Sequence, residues 1–179
     1  MMSLIMKKNL NNAVEQVLHV KGNYAGGILE MTLVIDCGLT KAYVAETAAD
    51  LAATLRSHSE VFRNVRLNLV LFKCDERLEN QVIPFSFLQM SSCFEEYQEQ
   101  QGKRTLDALS ANLKLFHARS KLILVLAGES LTMEDAQKVH ENMVPFLGKK
   151  SLFLFQGAIN GSWLRGDAVE RLLTQREEL

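Results

Sequence analysis

The chain has 179 residues, 47% hydrophobic and 23% charged, and its 20 basic and 21 acidic side chains leave a formal charge of −1. That length suits one domain with a hydrophobic core of its own, so no metal or disulfide staple is required. The composition excludes a disordered, collagenous or cysteine-stapled chain, and near-neutrality supplies no broad field for nucleic acid or an anionic membrane.

The first residues, Met1-Met2-Ser3-Leu4-Ile5-Met6-Lys7-Lys8, place apolar side chains before charges in too short a run for a signal peptide. No apolar stretch approaches the ~20 residues that span a bilayer. Cys37, Cys74 and Cys93 form no C-x-x-C pair, and His19, His58, His117 and His140 lie in no zinc-ligand spacing. Free thiols in a reducing, cytoplasmic setting, with no nucleic-acid or membrane partner, are the expectation.

In chain order, Asn11–Val20 predicts a short helix, followed by the loop Gly22–Gly27. Residues 1–27 are read as this helix and loop, and 28–179 as a single domain. Four apolar bursts follow: Met31–Ile35, Leu67–Phe72, Leu122–Leu126 and Leu152–Phe155. Each has strand length and is too continuously apolar for a sheet with one wet face, which fits parallel strands covered on both sides. Amphipathic patterns alternate with them. Ala48–Phe62 carries Leu51, Leu55 and Phe62, Leu106–Phe116 carries Leu106, Leu109, Leu113 and Phe116, and Met133–Phe146 carries Met133, Val139 and Met143. Thr47-x-x-Asp50, Thr132-x-x-Asp135 and Asp167-x-x-Glu170 read as helix starts, the last opening Ala168–Gln175, and Gly148 as a helix exit. Gln81–Gln89 reads as a strand that Pro84 confines to an edge, joined to Leu67–Phe72 by a link too short for a helical crossover and therefore antiparallel. The predicted fold is α/β: a three-layer sandwich around a mainly parallel, doubly wound sheet with an antiparallel edge strand.

In such a sheet ligands bind beyond the carboxyl ends of the strands. Asp36, Asp75 and Glu129 are thereby candidates for one rim, where carboxylates could bind a hard cation. Cys37 stands at a strand end without an arginine at phosphatase-loop spacing, and is read as structural. Arg165-Gly166-Asp167 and Asn160-Gly161-Ser162 are short strings that recur by chance, read as a helix cap and a turn. The polar run Phe94–Arg104 borders the rim and is a candidate contact surface.

The order of elements over Leu29–Leu173 resembles the von Willebrand factor A-type (vWA) domain, with Asp36-Cys37-Gly38-Leu39-Thr40 at the family's D-x-S-x-S position. Gly102-Lys103-Arg104-Thr105-Leu106-Asp107-Ala108-Leu109 matches its G-x-T loop and Ala-Leu pair in spacing, and Leu124–Glu129 falls at its later strand and T-D-G. The resemblance implies a cation site completed by a protein partner's carboxylate. Here it retains Asp36 and the Thr40 hydroxyl, but has Gly38 for the first hydroxyl, Lys103 for the distal threonine and Ala127 for the later aspartate. The expectation is a metal-free relic in which the Lys103 ammonium pairs with Asp36. The candidate ligand-binding rim is therefore Asp36, Gly38, Thr40, Asp75, Lys103, Thr105 and Glu129, with no cofactor and a protein as partner. The alternative is a divalent-cation-dependent binder, weakly holding Mg²⁺ or Ca²⁺ through Asp36 and Thr40. The loop Asp36–Thr40 also resembles the phosphate loop of actin-like and Hsp70-like ATPases and the nucleophile loop of haloacid-dehalogenase-like phosphatases. The chain is too short for the two lobes of the former, and Gly38 removes the second aspartate of the latter. A phosphate-ester or nucleotide enzyme using that loop is thus a further alternative to a non-enzymatic domain.

Overall fold

The central strand β1 (Ile28–Asp36) pairs in parallel with β2 (Asn64–Phe72) on one side and β4 (Leu122–Ala127) on the other. Strand β3 (Leu78–Pro84) lies antiparallel to β2, β5 (Ser151–Gln156) lies parallel to β4, and β6 (Ser162–Leu164) lies antiparallel to β5. The sheet order is β3-β2-β1-β4-β5-β6, and with α1 (Leu4–His19), α2 (Lys41–Arg56) and α3 (Leu106–Phe116) the chain is a mixed α/β fold. This computed structural model describes residues 4–19, 27–58, 64–73, 77–101, 106–127, 142–143, 145–146, 150–156 and 162–164. The predicted helix Ala168–Gln175, nearly all of Met133–Phe146, and the caps at Thr132, Gly148 and Asp167 lie outside them.

The apolar bursts of β1, β2 and β4 form strands because side chains on both faces are covered. On one face Leu29, Met31, Leu33 and Ile35 of β1, with Leu67 and Leu69 of β2 and Leu122, Leu124 and Leu126 of β4, join the core formed with α1 and α2. On the other, Val34, Val70, Ile123 and Val125 are equally buried. Fully burying each such side chain contributes about 1.5–3 kcal/mol. Helix α1 is longer than the predicted Asn11–Val20, and its stripe Leu10, Val14, Val17 and Leu18 enters the same core as the sheet.

Three predicted boundaries are corrected. Helix α2 begins at Lys41, not at Ala48, because Val44 extends the stripe of Ala48, Leu51 and Leu55 one turn earlier. It ends at Arg56 rather than Phe62. Its N-cap is Thr40, whose hydroxyl accepts a hydrogen bond from the Tyr43 N–H at 3.2 Å. Edge strand β3 covers Leu78–Pro84 instead of Gln81–Gln89. Pro84, opposite Arg66, sits at its last position, and the chain turns into two 3₁₀ segments, Phe85–Gln89 and Ser91–Phe94. Strand β6 falls partly on a predicted turn. Three residues are too few to display a period-two pattern, so only its pairing with β5 identifies it.

Thr47, predicted as a cap, is instead fully buried within α2, and its hydroxyl has no hydrogen-bond partner among the described residues. Thr47→Val replaces that hydroxyl by a methyl of similar volume. It is expected to raise stability by about 1 kcal/mol, read from the denaturant midpoint at unchanged m-value.

Candidate functional site

The loop that leaves β1 is built from local backbone bonds. Asp36 is 7% exposed, and its Oδ1 accepts the Gly38 N–H at 2.9 Å, while its carbonyl accepts the Leu39 N–H at 3.0 Å. A short acid that satisfies its own backbone two residues on is a common way to fix a tight turn. Thr40 then turns its hydroxyl to the first turn of α2. The structure therefore places Asp36, Gly38 and Thr40 of the predicted rim together at the carboxyl end of β1. The other predicted members, Asp75, Lys103, Thr105 and Glu129, lie outside the described residues, as does the expected Lys103–Asp36 pair.

The described loop holds only part of the cation site that the vWA resemblance implies. It offers one carboxylate and one hydroxyl, both already accepting backbone N–H groups, and Gly38 contributes no side-chain oxygen. Hard cations take six or more oxygen ligands. Among the described residues, no three His, Cys, Asp or Glu side chains are grouped for a metal.

Beside the loop, on the face of the sheet that carries Leu69 and Leu71, lies a cavity of about 440 Å³. Its floor is the β2–β3 hairpin, through Leu69, Leu71, Glu79 and Gln81, and its cover is the segment from Phe87 to Gln100. Cys37 reaches it from the strand-end loop, but Asp36, Gly38 and Thr40 do not line it. The cover is fastened at three points. The Tyr97 hydroxyl donates to the Leu39 carbonyl at 2.7 Å, the Gln100 N–H donates to the Cys37 carbonyl at 2.7 Å, and the Lys41 ammonium donates to the Glu95 carbonyl at 2.7 Å. Phe94 and Tyr97 pack edge to face, with ring centroids 6.4 Å apart. The polar run Phe94–Arg104 was a candidate contact surface in sequence, and its first residues form this wall. The edge-strand side of the cavity is not legible in the sequence, since pairing register alone brings Glu79 opposite Leu71 and Gln81 opposite Leu69.

Cys37 is buried, with its Sγ 3.9 Å from the Ile35 carbonyl, and burial pushes the Cys93 thiol up to about 11.

A second polar cluster lies on the opposite face, near the amino ends of the parallel strands. Buried His117, just past α3, bonds the Asn80 Oδ1 through Nε2 at 2.6 Å, while its Nδ1 is enclosed without a partner among the described residues. Desolvation holds its pKa below the ordinary imidazole value, against the opposing pull of Glu30. The Lys150 ammonium donates to the Ala118 carbonyl and stands 5.0 Å from the Phe146 ring centroid. Burial, reinforced by Lys121, lowers its pKa, and Glu30 again opposes the shift. Glu30 itself faces Arg66 at 3.8 Å and Arg119 at 3.5 Å. These contacts hold the loop after α3 against the sheet.

No protein-family model matches the chain, and no curated protein matches it. Among the described residues no helix is long and apolar enough to cross a membrane.

Proposed function

We propose that this chain is a non-enzymatic protein-interaction domain, a three-layer sandwich of vWA-like topology whose cation site has been lost. The observation that carries the reading is the strand-end loop, where the two ligand groups kept from the vWA pattern are used to build the turn and cap α2. Support for the layered topology comes from burial on both faces of the sheet, with α1 and α2 packed on one and the loop after α3 bonded to the other. A high-pKa thiol at Cys93 and a buried one at Cys37 argue against covalent catalysis near the rim. The partner is a protein, met through this rim rather than through a shared ion.

The test is thermal unfolding with about 5 mM Mg²⁺ or Ca²⁺, set against EDTA, because a ligand that binds only the folded state raises the midpoint by mass action. Equal midpoints are expected for the wild type and for Asp36→Asn. A rise of several degrees that Asp36→Asn removes would overturn the reading in favour of a cation-dependent site.

A further inference from the structure

The cavity between the β2–β3 hairpin and the segment from Phe87 to Gln100 stands apart from the Asp36–Thr40 loop, and its chemistry is unbalanced. Three acidic residues line it, Glu79, Glu95 and Glu96, against one basic residue, Lys73. Lys73 is engaged with Glu79 at 2.5 Å, and both side chains are partly exposed. The carboxylates of Glu95 and Glu96 have no ion-pair partner among the described residues, since Lys41 reaches the backbone carbonyl of Glu95 rather than its side chain. Leu69, Leu71, Phe87, Phe94 and Tyr97 are also among the lining residues.

We propose that this cavity is a binding site for an organic cation: a primary ammonium or guanidinium carried on an apolar stem. The size falls within the range of about 300–1,000 Å³ usual for small-ligand sites. The surplus of carboxylates attracts a cation and repels phosphate or carboxylate ligands. Leu69 and Leu71 take the methylenes of the stem, as buried stems of lysine and arginine do elsewhere. The site is also held open in advance. The bonds from Tyr97 to Leu39, from Gln100 to Cys37 and from Lys41 to Glu95 fix the cover, so little ordering accompanies binding. Lys73 on Glu79 occupies, from within the chain, the position that the ligand's cation takes. This inference goes beyond the interaction reading above, and neither depends on the other.

The experiment is an amide chemical-shift titration of the full ¹⁵N-labelled chain with spermidine, with an Nα-acetyl-lysine peptide, and with the same peptide acetylated at Nε. The first two probes are expected to shift the amides of Glu95, Glu96, Gln98 and Gln100, and the neutral peptide to shift none. Glu96→Gln is expected to weaken binding about tenfold, as befits a lost charge-assisted contact. Lys73→Met is expected to tighten it about threefold or more, because the internal competitor for Glu79 is gone. These two opposite changes cannot both arise from a general loss of folding. Saturation by spermidine alone assigns a free polyamine, and saturation by the lysine peptide alone assigns a side chain of a protein. Equal binding of the acetylated peptide, shifts confined to other regions, no shifts with any probe, or weaker binding by Lys73→Met would each overturn the proposal.

Discussion

Tyr97→Ala is expected to lower stability by about 3–5 kcal/mol, the range for truncating a buried aromatic side chain. Tyr97 is 8% exposed and belongs to the main core, although it sits in a stretch of Glu and Gln. Three contributions disappear together: the ring's burial, its edge-to-face contact with Phe94, and the hydroxyl's bonds to the carbonyls of Leu39 at 2.7 Å and Asp36 at 3.4 Å. Tyr97→Phe separates them. It keeps the ring and removes only the hydroxyl, so a loss of about 1 kcal/mol is expected. At this chain length the alanine variant should melt roughly 10 °C lower, since each kcal/mol is worth about 2–4 °C. The same pair of variants bears on the cavity. Tyr97 is the pin that joins its cover to the strand-end loop, so the phenylalanine variant should keep the amide shifts caused by spermidine and the alanine variant should lose them. An alanine variant within about 1 kcal/mol of wild type would show that the cover is not fastened through this ring.

Much of the fold is legible in the sequence for one physical reason. Strands buried on both faces must be apolar at nearly every position, and Met31–Ile35, Leu67–Phe72, Leu122–Leu126 and Leu152–Phe155 are. The antiparallel hairpin is legible too, because the eight residues Lys73–Asn80 are too few to hold a crossover helix. What failed was the start of α2. Thr47 has an acid three residues on, whereas Thr40 has Tyr43 there, so the capping pattern points to the wrong threonine and the burial of Val44 marks the earlier start. The consequence reaches the site, since the threonine read as a rim residue also caps α2. The cavity was hidden for a different reason. Its floor and cover are joined by register and by contacts between Tyr97 and Leu39, 58 positions apart. One local signal was present: two aromatic residues, Phe94 and Tyr97, spaced three apart in an otherwise polar run. A segment that needed only to be solvated would not carry them.

Polar residues inside the apolar bursts were equally silent, and they carry the second large expectation. Thr32 and Asn68 are cross-strand partners in the middle of β1 and β2, both buried, on the face opposite α1 and α2. Each is satisfied from the loop after α3. The Thr32 and Ser120 hydroxyls are 2.6 Å apart, and the Asn68 amide donates to Ser120 Oγ at 3.4 Å and to the Met31 carbonyl at 3.3 Å. Ser120 is fully buried, and its neighbour Lys121 donates its N–H to the Glu30 carbonyl at 2.9 Å, so the hydroxyl cannot leave without moving the start of β4. Ser120→Ala should therefore cost about 2–3 kcal/mol, because it strands the Thr32 hydroxyl and one Asn68 proton away from water. Thr32→Val alone should cost about 1–2 kcal/mol, since it leaves Ser120 with only the longer bond from Asn68. The double variant is the sharper test. With both hydroxyls gone, no donor is stranded between them, so its loss should fall about 1 kcal/mol or more short of the sum of the single losses. Denaturant unfolding of the four proteins in that cycle measures the coupling directly. Strict additivity would mean that the two hydroxyls do not share a bond, and that the loop after α3 is held to the sheet by Glu30, His117 and Lys150 alone.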